Sequence, residues 1–496
     1  MAEDSGSNER DVQSHQSVEN VVLIVLDTAR KGSVSPSTMP TLTQLEQVGT
    51  TFDNAFTTAP WTLPSHASLF TGTYTATHNA HGGHTYLLPE LHTLPEAFQS
   101  SGYETVGVSN NTWVTDEFGF DRGFDQLRRG WQYIQSDVDM GAVVRGETLG
   151  EKLEKVRSRL FEGNPLINAA NVLYSEVAQP AGDNGADRTT SWILEWLESR
   201  ADDCPFFLFA NYIEPHIVYE PPEAFAEPFL PDGWTYEEAT AIRQDPRAFD
   251  CDQYEITDEE FAALRGLYHG ELAYVDHQLE RLCQGLKAQG YWEDTMIVVC
   301  GDHGENVGDH GFFGHQYNLY DTLLQVPLVI HGGQFTDGGS REDFAQLHDL
   351  PETLLTATGV EDPALCDQSE GYALQTSTQA FRDAVFAEYV SPQPGIDRLA
   401  DRFGDLPAHV YQYDRSLEAI RTHDYKYVRG NDGFERLHDC ADDPGENTNL
   451  VDTKPAVARE LRNRLETQFG DSPTRPEVRP EMREGTKDRL ADLGYL

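Results

Sequence analysis

Three short runs along the chain are apolar at nearly every position: Val21–Leu26 (VVLIVL), Pro205–Tyr212 (PFFLFANY) and Met296–Cys300 (MIVVC). Runs of this length without alternation predict strands buried on both faces of a mainly parallel sheet. Between them the pattern changes to a helical period. Pro40–Val48, Leu94–Ser101 and Thr190–Ser199 read as amphipathic helices, and Tyr103–Ser109 as a strand entered after Gly102. Phe261–Gln289 is a long helix with Leu264, Leu267, Val275, Leu279, Leu282 and Leu286 near one face, stopped by Gly290. Tyr320–Ile330 supplies a helix end and the next strand, opened by Pro327. Beyond about residue 376 the texture turns to short alternating segments, Ala384–Tyr389, Leu417–Arg421, Tyr425–Arg429 and Phe434–His438, the last two flanking a Gly-Asn-Asp-Gly turn. That is a β-meander. Pro455–Phe469 follows as a helix with Val457, Leu461, Leu465 and Phe469 on one face.

The predicted fold is therefore α/β, a large mixed, mainly parallel sheet flanked by helices, with a smaller C-terminal α+β domain carrying an antiparallel sheet. The expected division is a disordered acidic leader at 1–17, a catalytic domain at 18–375, the small domain at 376–470 and a tail at 471–496. Two stretches read as insertions. Residues 131–185 mix a charged helical run, Glu147–Phe161, with a polar segment. Residues 219–260 are rich in Pro, Asp and Glu and suggest a surface excursion or lid.

Charge narrows the setting. Lys and Arg number 36 against 83 Asp and Glu, a net charge of −47 spread along all 496 residues. So large an excess points to a hydrated surface suited to high salt, as in halophiles, and leaves no basic patch for nucleic acid. The N-terminus lacks a charged-then-apolar signal pattern, and the longest aliphatic run, six residues, is far too short to span a bilayer. The expectation is a cytoplasmic protein with no membrane span. The six cysteines show no metal-type spacing and read mostly as small buried residues.

The candidate chemistry sits where the predicted strands end, the edge at which open α/β sheets bind ligands. Asp27 follows the first apolar run. Asn110 and Asn111 follow Tyr103–Ser109. His216 lies four residues past Tyr212. Asp302 and His303 follow Met296–Cys300 and open a glycine-rich loop that also carries Glu305, Asp309, His310 and His315. An adjacent Asp and His make a pair of metal ligands, with Glu305 and His310 expected in supporting roles. The stretch WTLPSHASLFTG (61–72) adds a hydroxyl, Thr62, two residues before Pro64 and at or next to a helix N-cap. Free backbone N–H groups and the helix dipole favour an anion there. Together these residues describe a metal-assisted hydrolase with a hydroxyl nucleophile.

The chain resembles the sulfatase family of the alkaline phosphatase superfamily. The resemblance rests on VVLIVLDTAR (21–30), APWTLPSHASLFTG (59–72), EPHIVYEPP (214–222), VVCGDHGE with GDHGFFGH (298–315), AIRTHDYKYVR (419–429), HDCADDPGENTNL (438–450) and the terminal RLADLGYL. It implies that family's fold and one divalent metal ion held by Asp27, Asp302 and His303 with Thr62. It further implies catalysis by Thr62, His216 and His315, the last standing where many relatives have lysine. Asn110 is an expected substrate contact, His66 is either a substrate contact, a support for the site or a structural hydrogen bond, and the expected substrate is a small-molecule or saccharide ester. Relatives carry Cys or Ser where Thr62 stands and oxidise it to formylglycine. A secondary alcohol cannot yield that aldehyde, so no formylglycine is expected and Thr62 must attack directly, which favours phosphoesters or phosphodiesters over sulfates. Thr28 replaces an acidic metal ligand, His66 an arginine, and KGSVSP after Arg30 lacks a usual acidic residue. The alternatives are phosphoryl transfer to an alcohol acceptor and a non-catalytic protein that binds metal or anions.

Overall fold

The computed structural model describes residues 18–132, 134–135, 164–167, 171, 182–200, 204–336, 338–375, 382–470 and 482–492. The proposed leader, the run Glu147–Phe161 and most of the 131–185 insertion lie outside them.

Eight strands form one sheet. In chain order they are β1 (Asn20–Leu26), β2 (Thr50–Phe56), β3 (Glu104–Ser109), β4 (Gln126–Arg129), β5 (Phe206–Tyr212), β6 (Thr295–Gly301), β9 (Leu328–His331) and β10 (Ser340–Gln346). Their spatial order is β10-β2-β9-β6-β1-β5-β3-β4, and only β9 runs antiparallel to its neighbours. The three all-apolar runs are the three central strands. Successive residues of β1 enter different cores: Val21, Leu23 and Val25 pack on one face, Val22, Ile24 and Leu26 on the other. This is why these strands show no alternation. The register is level, with Leu26 opposite both Tyr212 and Gly301, so β1, β5 and β6 deliver their next residues to one edge.

The strands without an all-apolar signature lie outside this centre. β10 reads SREDFAQ and β4 reads QLRR. Each closes an edge of the sheet, where one neighbour and one half-covered face suffice.

The long helix spans Asp258–Gln289 and starts three residues before its apolar period. Thr257 accepts from the Glu260 amide, and the Glu260 carboxylate returns to the Thr257 amide at 2.7 Å. This reciprocal cap satisfies two of the helix's free donors. The 219–260 stretch is mostly exposed or half-buried, but it is anchored to the fold at several points. Its short helices lean on the long helix and bury Ala226, Ala239, Arg247 and Ala248, and Tyr219 is buried just before them.

A second sheet, β11 (Ala384–Tyr389), β12 (Leu417–Thr422), β13 (Tyr425–Gly430) and β14 (Glu435–Asp439), is the expected antiparallel meander. One face, with Val385, Ala387, Leu417, Ala419 and Val428, joins the main core. The other, with Ile420, Tyr427 and Leu437, packs under Leu461 and Leu465 of the helix Pro455–Phe469. A two-residue hairpin, β7 (Asn306–Val307) with β8 (Phe313–Gly314), shapes the glycine-rich loop. Four of the six cysteines are buried and all are free thiols. No described helix is long and apolar enough to cross a membrane.

Candidate active site and metal centre

The level strand ends set the site. Asp27 is the first residue past β1 and its amide donates to Tyr212 O at 3.0 Å, while Asp302 is the first past β6. Opposite them stands the helix Thr62–Thr71, buried at every position. Thr62 is its first helical residue, after an extended Trp61 that packs edge-on against Trp113 at 5.4 Å. The helix is pinned to the metal loop by Ser65, whose hydroxyl donates to Asp302 O at 2.7 Å.

Four side chains converge. Thr62 Oγ1 lies 3.3 Å from His303 Nε2. His303 Nε2 lies 3.4 Å from Asp302 Oδ2 and 3.9 Å from Asp27 Oδ1. His303 Nδ1 donates to Gly304 O at 2.9 Å, which leaves the Nε2 lone pair facing the carboxylates. Asp302 Oδ1 accepts from the amides of Thr28 (3.0 Å) and His303 (2.8 Å). Asp27 Oδ2 accepts from Asn111 Nδ2 at 2.6 Å, and the same nitrogen reaches Thr62 Oγ1 at 3.3 Å.

The remaining carboxylate oxygens, Asp27 Oδ1 and Asp302 Oδ2, are fully buried and have no hydrogen-bond partner. One ligand atom from each of Asp27, Asp302 and His303 falls within 4.8 Å of the others. Two orphaned acceptors and an imidazole lone pair aimed at one point fit a divalent cation. The electrostatics agree. Burial, then repulsion from Asp302, pushes the Asp27 pKa well up. Asp302 is raised to about 6 by burial. Burial and the neighbouring His315 hold His303 well below the usual imidazole range, so it stays neutral. Two carboxylates and a neutral imidazole form a set that a divalent cation satisfies. Thr28 sits between them with φ of 61°, strained for a β-branched residue. Its amide serves Asp302, its carbonyl accepts from Tyr268 Oη at 2.7 Å, and its hydroxyl is buried without a hydrogen-bond partner.

Two further histidines wall the site. His315 packs against His303 with ring centroids 4.6 Å apart, and against His216 at 5.2 Å. Glu305 Oε1 accepts from His315 Nδ1 at 3.0 Å and so fixes that ring. Burial lowers His216 to about 3 and raises Glu305 to about 7. Arg247, buried on the 219–260 stretch, pairs with Asp250 at 2.6 Å and with Gln316, and its charge helps keep His315 neutral. Arg30 holds the loop from beneath through Asp309 Oδ2 (2.8 Å) and Glu305 O (3.1 Å).

Gly304 is required by close approach: a Cβ there would lie 2.0 Å from Thr322 O. Gly304→Ala is expected to cost about 1–3 kcal/mol, as overpacking does. A urea titration checks the loss, and turnover should fall with it because the loop carries Asp302, His303 and His315.

Behind His216 lies a second acidic group. Glu214, with Asp183 and Glu271 beside it, is raised to about 8 by burial and by Asp183. An unfolded Glu ionises near pH 4.3. The folded form therefore keeps a proton that the unfolded chain has lost, and stability falls as pH rises from about 4.3 through 8. Glu214→Gln keeps the Oε1 that accepts from the Asn184 amide at 3.1 Å. It should match the wild type near pH 5 and exceed it by roughly 1–3 kcal/mol above pH 8, read from denaturant midpoints across that range.

Of the residues singled out from the sequence, Asp27, Thr62, His216, Asp302, His303 and His315 come together. As substrate contacts, Asn110 and His66 need correction. Asn110 turns away, its amide donating to Thr189 Oγ1 at 3.0 Å; its neighbour Asn111 faces the site instead. His66 lies beneath the helix. Its Nδ1 donates to Thr62 O at 3.0 Å and its Nε2 accepts from Asn211 at 3.1 Å, so both nitrogens are engaged by protein. Its Nδ1 is also 3.5 Å from Asp302 Oδ2, a supporting position. His310 stacks on Tyr320 at 3.6 Å, outside the cluster. Asn211 and Arg247 were not anticipated. Asn211 hides inside an apolar strand, and Arg247 in a polar stretch with no motif around it.

A threonine hydroxyl at a helix start thus faces a buried Asp-Asp-His group at the carboxyl edge of a mixed sheet. The sulfatase family model matches residues 19–360, and the chain belongs to the sulfatase family, whose enzymes depend on metal. It is 23% identical to an arylsulfatase from Clostridium perfringens, over 88% of this chain and 90% of that protein. It is 27% identical to a multifunctional alkaline phosphatase superfamily protein, PehA, from Trinickia caryophylli, over 90% and 93%. The phosphonate monoester hydrolase structure from Agrobacterium radiobacter superposes with a TM-score of 0.67 at 24% identity, covering 91% of this chain and 96% of that one.

Proposed function

We propose that this sulfatase-family hydrolase acts through a covalent Thr62 ester and prefers phosphonate monoesters, phosphate esters or phosphodiesters to sulfates. The observation that carries the reading is Thr62 Oγ1 at the start of a buried helix, 3.3 Å from His303 Nε2 and sharing the Asn111 amide with Asp27. The multifunctional relative and the phosphonate monoester hydrolase fold neighbours support the substrate class.

Asp27, Asp302 and His303 would hold the divalent cation, which supplies a lowered hydroxyl pKa and charge neutralisation. Asn111 orients Thr62 and Asp27 together. Thr62 Oγ attacks phosphorus in line: the O–P bond forms, the P–OR bond breaks, and the alcohol departs carrying one proton. That proton is the one Thr62 Oγ loses on attack; we assign its relay to the leaving alcohol to Nε2 of His315, whose ring Glu305 holds through Nδ1, with His216 beside it. The backbone N–H groups at the start of the Thr62 helix meet the charge growing on the phosphoryl oxygens. Water then releases the group from Thr62 and restores the hydroxyl. The net charge of −47 supports an enzyme that works at high salt.

The test is acid-quenched turnover of a nitrophenyl phenylphosphonate, a phosphodiester and a sulfate ester in metal-loaded protein, followed by peptide mass spectrometry. The expected result is a phosphoryl or phosphonyl adduct on the peptide holding Thr62. Burst-free sulfate turnover with no adduct overturns the reading.

A further inference from the structure

A cavity of about 280 Å³, lined by none of Asp27, Thr62, His216, Asp302, His303 or His315, opens between the glycine-rich loop and the C-terminal sheet. That is near the small end of ligand pockets, with room for one sugar ring or aryl group. Tyr320 lines it from the loop side. Tyr413, Arg415, Phe434, Arg436 and His438 line it from the other.

Three features are unusual for a solvent-filled gap. The first is the pair of guanidinium groups over one ring: Arg415 Cζ lies 4.4 Å and Arg436 Cζ 4.8 Å from the Phe434 centroid. The chain is strongly acidic, yet only Arg415 is paired here, to Asp432 at 3.3 Å. Among the described residues Arg436 meets no carboxylate within ion-pair distance. The second is a set of unsatisfied polar atoms. Arg415 Nε is buried without a hydrogen-bond partner, and His438, 3% exposed, has only a loose approach to the Thr448 backbone, so at least one of its ring nitrogens is unsatisfied. Burial and Lys426 keep His438 down to about 4, so it enters the cavity as a neutral donor and acceptor. Leaving such groups unmade is costly. The third is the aromatic walls, flat faces on which a ring can lie.

We infer that this cavity is an accessory binding site for a small organic anion built on a single ring, a ring carboxylate of aryl or sugar type. The two guanidinium groups take the anion, His438 bonds a polar substituent, and Tyr320 and Tyr413 flank the ring. The site is separate from ester hydrolysis and does not rest on the Thr62 mechanism.

The test uses the full-length chain carrying Thr62→Ala, so that the catalytic centre is disabled. Calorimetric titrations with benzoate, glucuronate, the neutral partners benzamide and methyl glucoside, and inorganic sulfate separate the sources. The expected result is one-to-one binding of benzoate or glucuronate at millimolar affinity or tighter, with no heat from the neutral partners. Arg436→Gln should weaken it at least about tenfold, and Phe434→Leu should also weaken it. In the Thr62-containing enzyme, Arg436→Gln should leave turnover of a small nitrophenyl ester unchanged. No binding by either carboxylate, equal binding in Arg436→Gln protein with a wild-type melting curve, or sulfate competing as well as the ring carboxylates would each overturn the proposal.

Discussion

Replacing Thr62 with alanine is expected to lower kcat for phosphonate monoesters and phosphodiesters by about 10³-fold or more, the scale seen when a covalent nucleophile is removed. The fold should survive, because Thr62 contributes no cap to its helix and the residue before it already sets the entry. Metal content should be largely retained, since Asp27, Asp302 and His303 offer the charged and imidazole ligands without it. Thr62→Ser separates nucleophile from scaffold. It keeps an Oγ at the same place on the first helical turn, so activity should stay within about tenfold of wild type. Steady-state kinetics with metal analysis on all three proteins checks both statements. Full phosphoester turnover in Thr62→Ala, with metal bound, would place the attack on water. Loss of turnover in Thr62→Ala together with retention in Thr62→Ser ties the chemistry to the hydroxyl itself.

Much of this centre is legible in the sequence because it depends on strand ends. The all-apolar runs mark β1, β5 and β6 without ambiguity, and a level register turns the next polar residue of β1 and of β6 into a site residue. The supporting rather than substrate-facing place of His66 has a geometric cause. Four residues after Thr62 on a helix lies on the same side, but beneath it, where the ring bonds back to the Thr62 carbonyl. Asn110 and Asn111 illustrate the same limit just past the end of β3: the chain leaves the strand after Ser109 and the two side chains part, Asn110 to Thr189 and Asn111 to Asp27, which no strand period could foretell. Arg247 was hidden for another reason. It is brought to His315 by tertiary packing of a segment whose local composition reads as solvent-exposed. Edge strands such as β10 escape notice because a half-covered strand needs little apolar content.

The largest stability effect is expected at Lys426, one of the few lysines in the chain. It lies on β13 of the small sheet with a fully buried side chain, 2.7 Å from Asp321 and 2.9 Å from Glu446. Asp321 starts the short helix just after the glycine-rich loop and also binds Arg421 at 3.0 Å. The cluster therefore fastens the C-terminal sheet to the segment that follows His303 and His315. It also accounts structurally for part of the AIRTHDYKYVR and HDCADDPGENTNL motifs. Lys426→Met removes the one charge that serves both carboxylates and strands Glu446 in the interior, so the expected loss is about 3–5 kcal/mol. Glu446 is already raised to about 7 by burial. Without its ammonium partner it moves higher, and protonation below that range neutralises the stranded charge. The loss should therefore be smaller at pH 5 than at pH 8. Lys426→Met/Glu446→Gln should recover part of it at pH 8, because the uncompensated charge rather than the missing packing carries most of the cost. Urea unfolding of wild type, single and double variants at the two pH values reads this directly. An equal loss at both pH values, unrelieved in the double variant, would assign the effect to packing and remove the cluster's role as an electrostatic latch.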